Sequence, residues 1–273
     1  FAKGTESDLP KKDNSHVESH ILADKKILLV EDNEMNRVVA ETILNQYGAS
    51  ISEAVNGVEA VEAIRHKKYD IVLMDIQMPV MDGMEATRII RKEIHSNIPI
   101  IALTANAVKG EMEKCIQAGM NDYLSKPFEE EDLIRLIAKW LGRETHFGPA
   151  KATTVIETPL YDLGKLKQIT RGDEKFIVKM LHVFINETMS GVANLERAFE
   201  ERDIKQVKFL AHRMKSSLNN LNIFSAARIA EQIEHLQWSE QEHPAFENQI
   251  HAFKKIIDEV IPLIKADYPE LQN

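Results

Sequence analysis

The sequence predicts an α/β domain over residues 24–142, with a doubly wound five-stranded parallel sheet, joined to an all-α antiparallel helical bundle over residues 159–273. Three observations predict this division. Five short apolar segments alternate with helical patterns in the first region, polar side chains follow four of these segments, and only helical periodicity remains in the second region. A chain of 273 residues is also long enough for two domains.

The predicted strands are short apolar runs bounded by turn signals, which is typical of strands buried on both faces of a parallel sheet. They lie at residues 27–30, 51–55, 71–75, 99–103 and 123–124. Apolar residues recur at helical spacing after each strand, so each connection contains a helix and the next strand runs parallel to the last. The sheet therefore brings the carboxyl ends of the strands to one edge.

Charged and hydroxyl side chains stand at this edge. Glu31 and Asp32 follow the first strand, and Asp75 ends the third. Thr104 follows the fourth strand, and Lys126 follows the fifth. Three carboxylates so close together repel one another unless a cation is bound, and oxygen ligands suit Mg²⁺. Because a carboxylate can attack phosphorus and a lysine can bind phosphate, the sequence predicts a phosphoryl-accepting aspartate at a magnesium site.

Residues 24–142 resemble a response-regulator receiver domain, which has a flavodoxin-like fold. The stretches that carry the resemblance are 29–33, 73–75, 78–79, 82–83, 102–106 and 125–127. The resemblance implies that Asp75 accepts the phosphoryl group and that Thr104 and Lys126 bind it. It also implies a cis peptide bond between Lys126 and Pro127, which an X-Pro sequence permits.

The same resemblance implies how the metal is held. Asp32 and Asp75 would bind Mg²⁺ together with the backbone carbonyl of Gln77, and Glu31 would act through a water molecule. The only implied cofactor is therefore Mg²⁺.

Two polar segments without apolar periodicity are predicted linkers, at residues 1–23 and 143–158. After the second linker the predicted helices lie at 163–169, 176–185, 192–199, 204–220, 226–238 and 246–266. Mostly amphipathic helices with short connections predict an antiparallel bundle.

One predicted bundle helix carries a second candidate site. Lys208, His212 and Lys215 lie on a face away from its apolar stripe, which predicts that His212 lies outside the core. An exposed histidine on a bundle helix usually has no function. The flanking lysines, and the small side chains of Ser216 and Ser217 that would let a partner backbone approach, favour a functional histidine here.

Residues 211–221 resemble the phosphorylatable segment of histidine phosphotransfer (HPt) domains, although Ser216 stands where the family commonly has glycine. The resemblance implies that His212 carries a phosphoryl group, with Lys215 beside it.

Together the two resemblances imply a two-component phosphorelay. The receiver would take a phosphoryl group from the phosphohistidine domain of a histidine kinase, in the same parent chain or its dimer mate. His212 would take it from Asp75 and pass it to the receiver of a separate response regulator. The transfer from Asp75 to His212 could take place within one chain or between two chains. For this transfer we expect the first receiver helix to dock on the His212 helix through a face formed by Asn33, Asn36 and Val39.

The chain begins at Phe1, so we expect it to be cut from a longer protein, a hybrid sensor histidine kinase, without the kinase catalytic domain. Whether the piece is itself an enzyme is left open. It has no run of about 18 apolar residues, so we expect a cytoplasmic segment without membrane contact, whose parent chain can be anchored elsewhere. The net charge of −9 argues against a nucleic-acid partner, and the single Cys115 excludes an internal disulfide framework.

Two other functions remain open at this stage. A phosphatase of the haloacid dehalogenase kind also uses an aspartate at a strand end, but it needs a second acid two residues later, where this chain has Gln77. A binding module that no longer transfers phosphate is the second alternative. The intact set of Asp32, Asp75, Thr104 and Lys126 argues against it.

Overall fold

The computed structural model describes residues 20–104, 109–145, 147, 160–235 and 243–272. Apart from 20–23, 143–145 and 147, the predicted linkers 1–23 and 143–158 lie outside the described residues. Leu22 is fully buried, and its backbone N–H donates to the Tyr47 carbonyl at 2.9 Å. Packing on the sheet domain therefore begins at least two residues before the predicted boundary at residue 24.

Five parallel strands form the sheet, and a helix follows each of them. The strands are β1 (Lys26–Val30), β2 (Ser50–Ala54), β3 (Ile71–Asp75), β4 (Ile100–Thr104) and β5 (Asp122–Ser125). The helices are α1 (Glu34–Gln46), α2 (Gly57–His66), α3 (Gly83–Lys92), α4 (Lys109–Ala118) and α5 (Glu130–Trp140). The strand order is β2-β1-β3-β4-β5. The predicted doubly wound α/β fold is confirmed.

Alternate residues of the central strand β3 pack on the two sides of the sheet. Ile71 and Leu73 join the apolar cluster that includes α1 and α5, whereas Val72 and Met74 join the cluster that includes α2, α3 and α4. The strand is buried along its whole length. This double burial explains why its sequence is continuously apolar up to the acid at its carboxyl end.

The polar edge lies where the strand order reverses. β1 pairs with β2 on one side and with β3 on the other, so the chain leaves β1 and β3 in opposite directions. Open α/β sheets bind ligands in the crevice outside such a pair of strand ends. Asp32 and Asp75 stand at the two sides of this crevice.

The described residues of the second region form helices joined by short turns, with no strand among them. It comprises α6 (Gly164–Ile169), α7 (Glu174–Glu200), α8 (Ile204–Asn220), α9 (Phe224–His235), α10 (His243–Asp267) and a 3₁₀ turn (Pro269–Gln272). Apolar residues of α6 to α10 share one buried cluster. The antiparallel arrangement of the bundle stays a prediction.

The two helices predicted at 176–185 and 192–199 are one continuous helix, α7, so that prediction was wrong. The glycine between them does not end the helix. A Cβ atom built on Gly191 would lie 2.7 Å from the Met214 sulfur, so the missing side chain makes room for close packing of α8 on α7. The close approach gives this glycine a packing role inside the helix.

The apolar cluster that contains α1 and α5 continues into the helical region, so the two regions pack directly on each other. Polar contacts accompany this packing. Gln46 Nε2 donates to the Ile169 carbonyl at 2.5 Å, and Lys165 Nζ donates to the Phe128 carbonyl at 2.8 Å. In the described part of the chain, no helix combines the length and the apolar character needed to cross a bilayer.

Candidate functional site

Three carboxylates meet at the crevice between β1 and β3. Glu31 and Asp32 follow β1, Asp75 ends β3, and one oxygen of each lies within 4.8 Å of the others. We call these three residues the acidic cluster. Glu31 and Asp75 are only 1% and 5% exposed. The structure therefore brings together the three carboxylates that the sequence placed at one edge.

Lys126 lies between two members of the acidic cluster. Its Nζ donates to Glu31 Oε2 at 2.5 Å and to Asp75 Oδ2 at 2.7 Å. Burial lowers the pKa of the Lys126 ammonium, but the charges of Asp75 and Glu31 outweigh burial and raise it above its usual value. The peptide bond to Pro127 is cis, as the resemblance implied.

Thr104 ends β4 and is buried beside this site. Its neighbour Leu103 is in register with Asp75, and the Thr104 carbonyl accepts from the Lys126 backbone N–H at 2.6 Å. The parallel register of β3, β4 and β5 thus places Thr104 and Lys126 at strand ends on the same edge as Asp75. All four residue types that the sequence predicted at this edge are present there.

Burial disfavours the ionised form of two members of the acidic cluster. Burial raises the pKa of Glu31 to about 7, against the opposing effect of Lys126. Burial raises the pKa of Asp32 to about 6, and Arg213 offsets only part of this. Asp32 Oδ2 is also buried without a hydrogen-bond partner among the described residues. A buried, unsatisfied carboxylate oxygen in a cluster of three acids fits a bound divalent cation.

The loop after β3 is held close to the acidic cluster. The Gln77 backbone N–H donates to Asp75 Oδ1 at 3.2 Å, and the Gly83 N–H donates to the Ile76 carbonyl at 3.0 Å. A Cβ atom on Gly83 would lie 2.1 Å from the Asp75 carbonyl oxygen, so only glycine fits at the start of α3. The close approach explains the Asp-Gly pair at residues 82–83.

His212 is buried, with 8% of its surface exposed, so the prediction that it lies outside the core was wrong. The face of α8 that carries it is covered by α9. His212 Nδ1 lies 2.9 Å from Glu234 Oε1, and Lys215 Nζ donates to Glu234 Oε2 at 2.8 Å. Amphipathic spacing separated the apolar stripe from a polar face, but it did not indicate that a second helix would cover the polar face with a matching acid.

The Glu234 carboxylate fixes the tautomer of His212. Burial raises the pKa of the Glu234 carboxyl, but His212 and Lys215 outweigh burial through hydrogen bonds and charge and lower it to about 2. An ionised carboxylate can only accept, so the proton of this hydrogen bond belongs to His212 Nδ1. When the ring is neutral, Nε2 is therefore the nitrogen with a free lone pair.

The predicted docking of α1 on the His212 helix is confirmed. Asn33 Nδ2 donates to Ser217 Oγ at 2.8 Å, and Asn220 Nδ2 donates to Asn36 Oδ1 at 2.9 Å. Ser216 and Val39 line the same small cavity between the two regions. The small serine side chains of α8 therefore face α1.

A larger cavity, of about 860 Å³, is lined by residues of both regions. His212 and Glu234 line it from the helical region, and Gln77 and Met78 line it from the loop after β3. His212 and the loop that follows Asp75 thus face a common space.

Three charged residues at the site were missed from the sequence: Glu187, Arg213 and Glu234. Arg213 directly follows His212, which could have drawn attention to it, but its partners lie on other elements. Glu187 is on α7 and Glu234 is on α9. No spacing within one helix indicates such pairs.

Comparisons with known proteins divide the chain in the same way. Residues 27–138 match the family model described as the response regulator receiver domain, and residues 179–262 match the model described as the Hpt domain. The chain contains a receiver domain followed by an HPt domain. These are the domains of a two-component phosphorelay.

Among curated relatives, the sensor protein EvgS of Escherichia coli (strain K12) is 31% identical over 234 residues, which cover 86% of this chain. The sensor protein GacS of Pseudomonas syringae pv. syringae is 41% identical over 121 residues, or 43% of the chain. These matches span only 19% and 13% of the two relatives' own lengths.

Among solved structures, the receiver domain of a sensor histidine kinase from Pseudomonas aeruginosa PAO1 is 48% identical, with a TM-score of 0.42. The match covers 44% of this chain and 99% of that one. That structure is described as having a magnesium ion coordinated in its active site cleft.

Proposed function

We propose that Asp75 accepts a phosphoryl group from a kinase phosphohistidine and that His212 takes it from Asp75 for delivery to a downstream response regulator. The observation that supports this most strongly is the pairing of the two sites. The HPt domain packs on the receiver at the edge that carries the acidic cluster, and His212 and the loop after Asp75 line one cavity. We take the receiver as residues 24–142 and the HPt domain as residues 159–273.

The first step forms an acyl phosphate. A carboxylate oxygen of Asp75 attacks phosphorus, the bond from the donor imidazole nitrogen to phosphorus breaks, and the electron pair returns to that nitrogen. Lys126 and Thr104 bind the phosphoryl oxygens. Lys126 already contacts Asp75 at 2.7 Å, so its ammonium can stay beside the acceptor as negative charge arrives.

The second step moves the group to the HPt domain. His212 Nε2 attacks phosphorus, the bond from Asp75 oxygen to phosphorus breaks, and the Asp75 carboxylate is restored. Glu234 keeps the Nδ1 proton in place and can stabilise the positive charge that the ring gains. Lys215 is held by the same carboxylate, so we assign it a supporting position beside His212.

Asp32, Asp75 and the backbone carbonyl of Gln77 would hold Mg²⁺, with Glu31 acting through water. The unsatisfied Asp32 Oδ2 in the acidic cluster supports this assignment. When bound, the ion supplies positive charge that lets an anionic phosphoryl group approach a carboxylate.

The partners follow from these steps. The donor is the phosphohistidine domain of a histidine kinase, in the same parent chain or its dimer mate, and the acceptor is the receiver of a separate response regulator. Because the chain spans less than a fifth of the relatives named above, the sensor kinase activity of a parent chain is part of this proposal.

Labelling by a small acyl-phosphate donor tests the receiver assignment. We expect label on the wild-type chain that requires Mg²⁺ and is lost with EDTA, and no receiver label on Asp75→Asn. Asp70→Asn, at the opposite end of β3, is the matched control and should label normally. Full receiver labelling of Asp75→Asn would refute the assignment. Absence of label on every variant would favour a binding module, and steady phosphate release without label would favour a phosphatase.

A further inference from the structure

Arg213 reaches from the HPt domain to the acidic cluster of the receiver. Its Nη2 donates to the Asp32 backbone carbonyl at 3.3 Å, and its Nε lies 3.4 Å from Asp32 Oδ2. The same Nη2 donates to Glu187 Oε1 at 3.3 Å. Arg213 therefore joins an acid of its own domain to an acid of the receiver.

The contact differs from an ordinary surface ion pair. The Asp32 side chain is only 6% exposed, whereas the Arg213 side chain is 36% exposed, so a partly exposed arginine contacts a nearly buried carboxylate. Glu187 is also partly buried and accepts from the Glu34 backbone N–H at 3.2 Å. Two contacts to the receiver and one to Glu187 fix the guanidinium in place.

In the proposed mechanism Asp32 also binds Mg²⁺, so two cations, the metal ion and the Arg213 guanidinium, share one carboxylate. Mg²⁺ retains several water ligands, so it needs space as well as charge at a carboxylate. Asp32 Oδ2 makes no hydrogen bond among the described residues, although Arg213 lies at ion-pair distance. The Arg213 guanidinium beside this oxygen competes with Mg²⁺ for the space and repels the metal ion by its positive charge.

We propose that Arg213 is a positioning residue that docks the HPt domain on the receiver in competition with Mg²⁺ for Asp32. The inference rests on the proposed function, since it takes Asp32 as a metal ligand. Metal binding weakens this docking contact and exposes the acidic cluster to the kinase. A phosphoryl group on Asp75 brings negative charge back to the crevice. This charge attracts the Arg213 guanidinium and favours docking of the HPt domain again. The arginine thereby couples the position of the HPt domain to the state of the receiver.

Calorimetric titration of the whole chain with Mg²⁺ tests the competition. We expect Arg213→Gln to bind Mg²⁺ about 3- to 10-fold more tightly than the wild type. This change corresponds to a wild type in which Arg213 leaves the Asp32 site free in about a tenth to a third of molecules. Glu187→Gln should shift the affinity in the same direction by less, because it only loosens the guanidinium. The matched control is Arg228→Gln, an exposed arginine on α9, which should bind as the wild type does.

Hydrogen–deuterium exchange of α1 and α8 gives a readout that does not depend on phosphate transfer. In the wild type, Mg²⁺ should speed exchange at the contact around Asn33, Asn36 and Ser217. In Arg213→Gln, exchange there should be faster already without Mg²⁺.

Equal Mg²⁺ affinity in the wild type and Arg213→Gln, with exchange at the contact unchanged by the metal, would overturn this inference and leave the proposed function standing. Failure of Mg²⁺ to bind any variant would overturn both.

Discussion

At the residue scale, the Glu234 side chain contributes to the stability of the fold in a way that depends on pH. It accepts from Lys215 and from the His212 ring, and their effects lower its pKa from 4.5 to about 2. A carboxyl whose pKa is lower in the folded state than in the unfolded state stabilises the fold above the unfolded value. That contribution is lost as the pH falls from 4.5 towards 2.

We therefore expect Glu234→Gln to lower the free energy of unfolding by about 1–3 kcal/mol at pH values above 4.5. The difference from the wild type should shrink as the pH falls from 4.5 towards 2, because the wild-type carboxyl then takes up a proton. Urea unfolding at a series of pH values measures this. Glu231→Gln is the control, since Glu231 is 56% exposed and lies 3.8 Å from Lys215, where ion pairs contribute little. A loss that does not change with pH would show that Glu234 acts only through packing.

At the scale of single elements, the bounds of α8 were predicted correctly, but the burial of its polar face was not. Its bounds, Ile204 to Asn220, match the prediction, because the apolar stripe that predicts the helix is a local signal. That α9 covers the polar face of α8 could not be predicted. Hydrophobic periodicity identifies the face that packs in its own core, but polar groups can also be buried by another helix or domain that offers partners. His212, Lys215 and Ser217 are buried in this way.

Transfer rates should respond to the size of residue 216, where α8 faces α1. Ser216→Gly should keep or speed transfer from Asp75 to His212, since it leaves the approach of α1 open. Ser216→Leu should slow transfer about 10-fold or more, because a displacement of about 1 Å can cost 100-fold. Time courses of label on the two domains measure the rate. Ser225→Leu, at an exposed position of α9, controls for the added side chain. Equal rates for Ser216→Leu and the wild type would show that transfer does not use this contact.

For the whole molecule, the sequence predicted the parts better than their arrangement. The parallel sheet and the acidic cluster followed from strand-then-helix alternation, since carboxyl ends of parallel strands share one edge. The face of α1 formed by Asn33, Asn36 and Val39 was also predicted to dock on α8. The contact of Arg213 with Asp32 was not, because the two residues lie in different domains and no local period relates them.

The most direct test of a relay between the two domains is to follow the chemical class of the label on the intact chain. After charging with an acyl-phosphate donor and Mg²⁺, the wild type should first carry acyl phosphate, which is lost in base. It should then carry phosphohistidine, which survives base and is lost in acid. His212→Gln should stop at the base-labile stage, whereas His235→Gln, a control histidine that lines the same cavity, should proceed. Base-stable label that never appears on the wild type, or that appears equally on His212→Gln, would contradict the account.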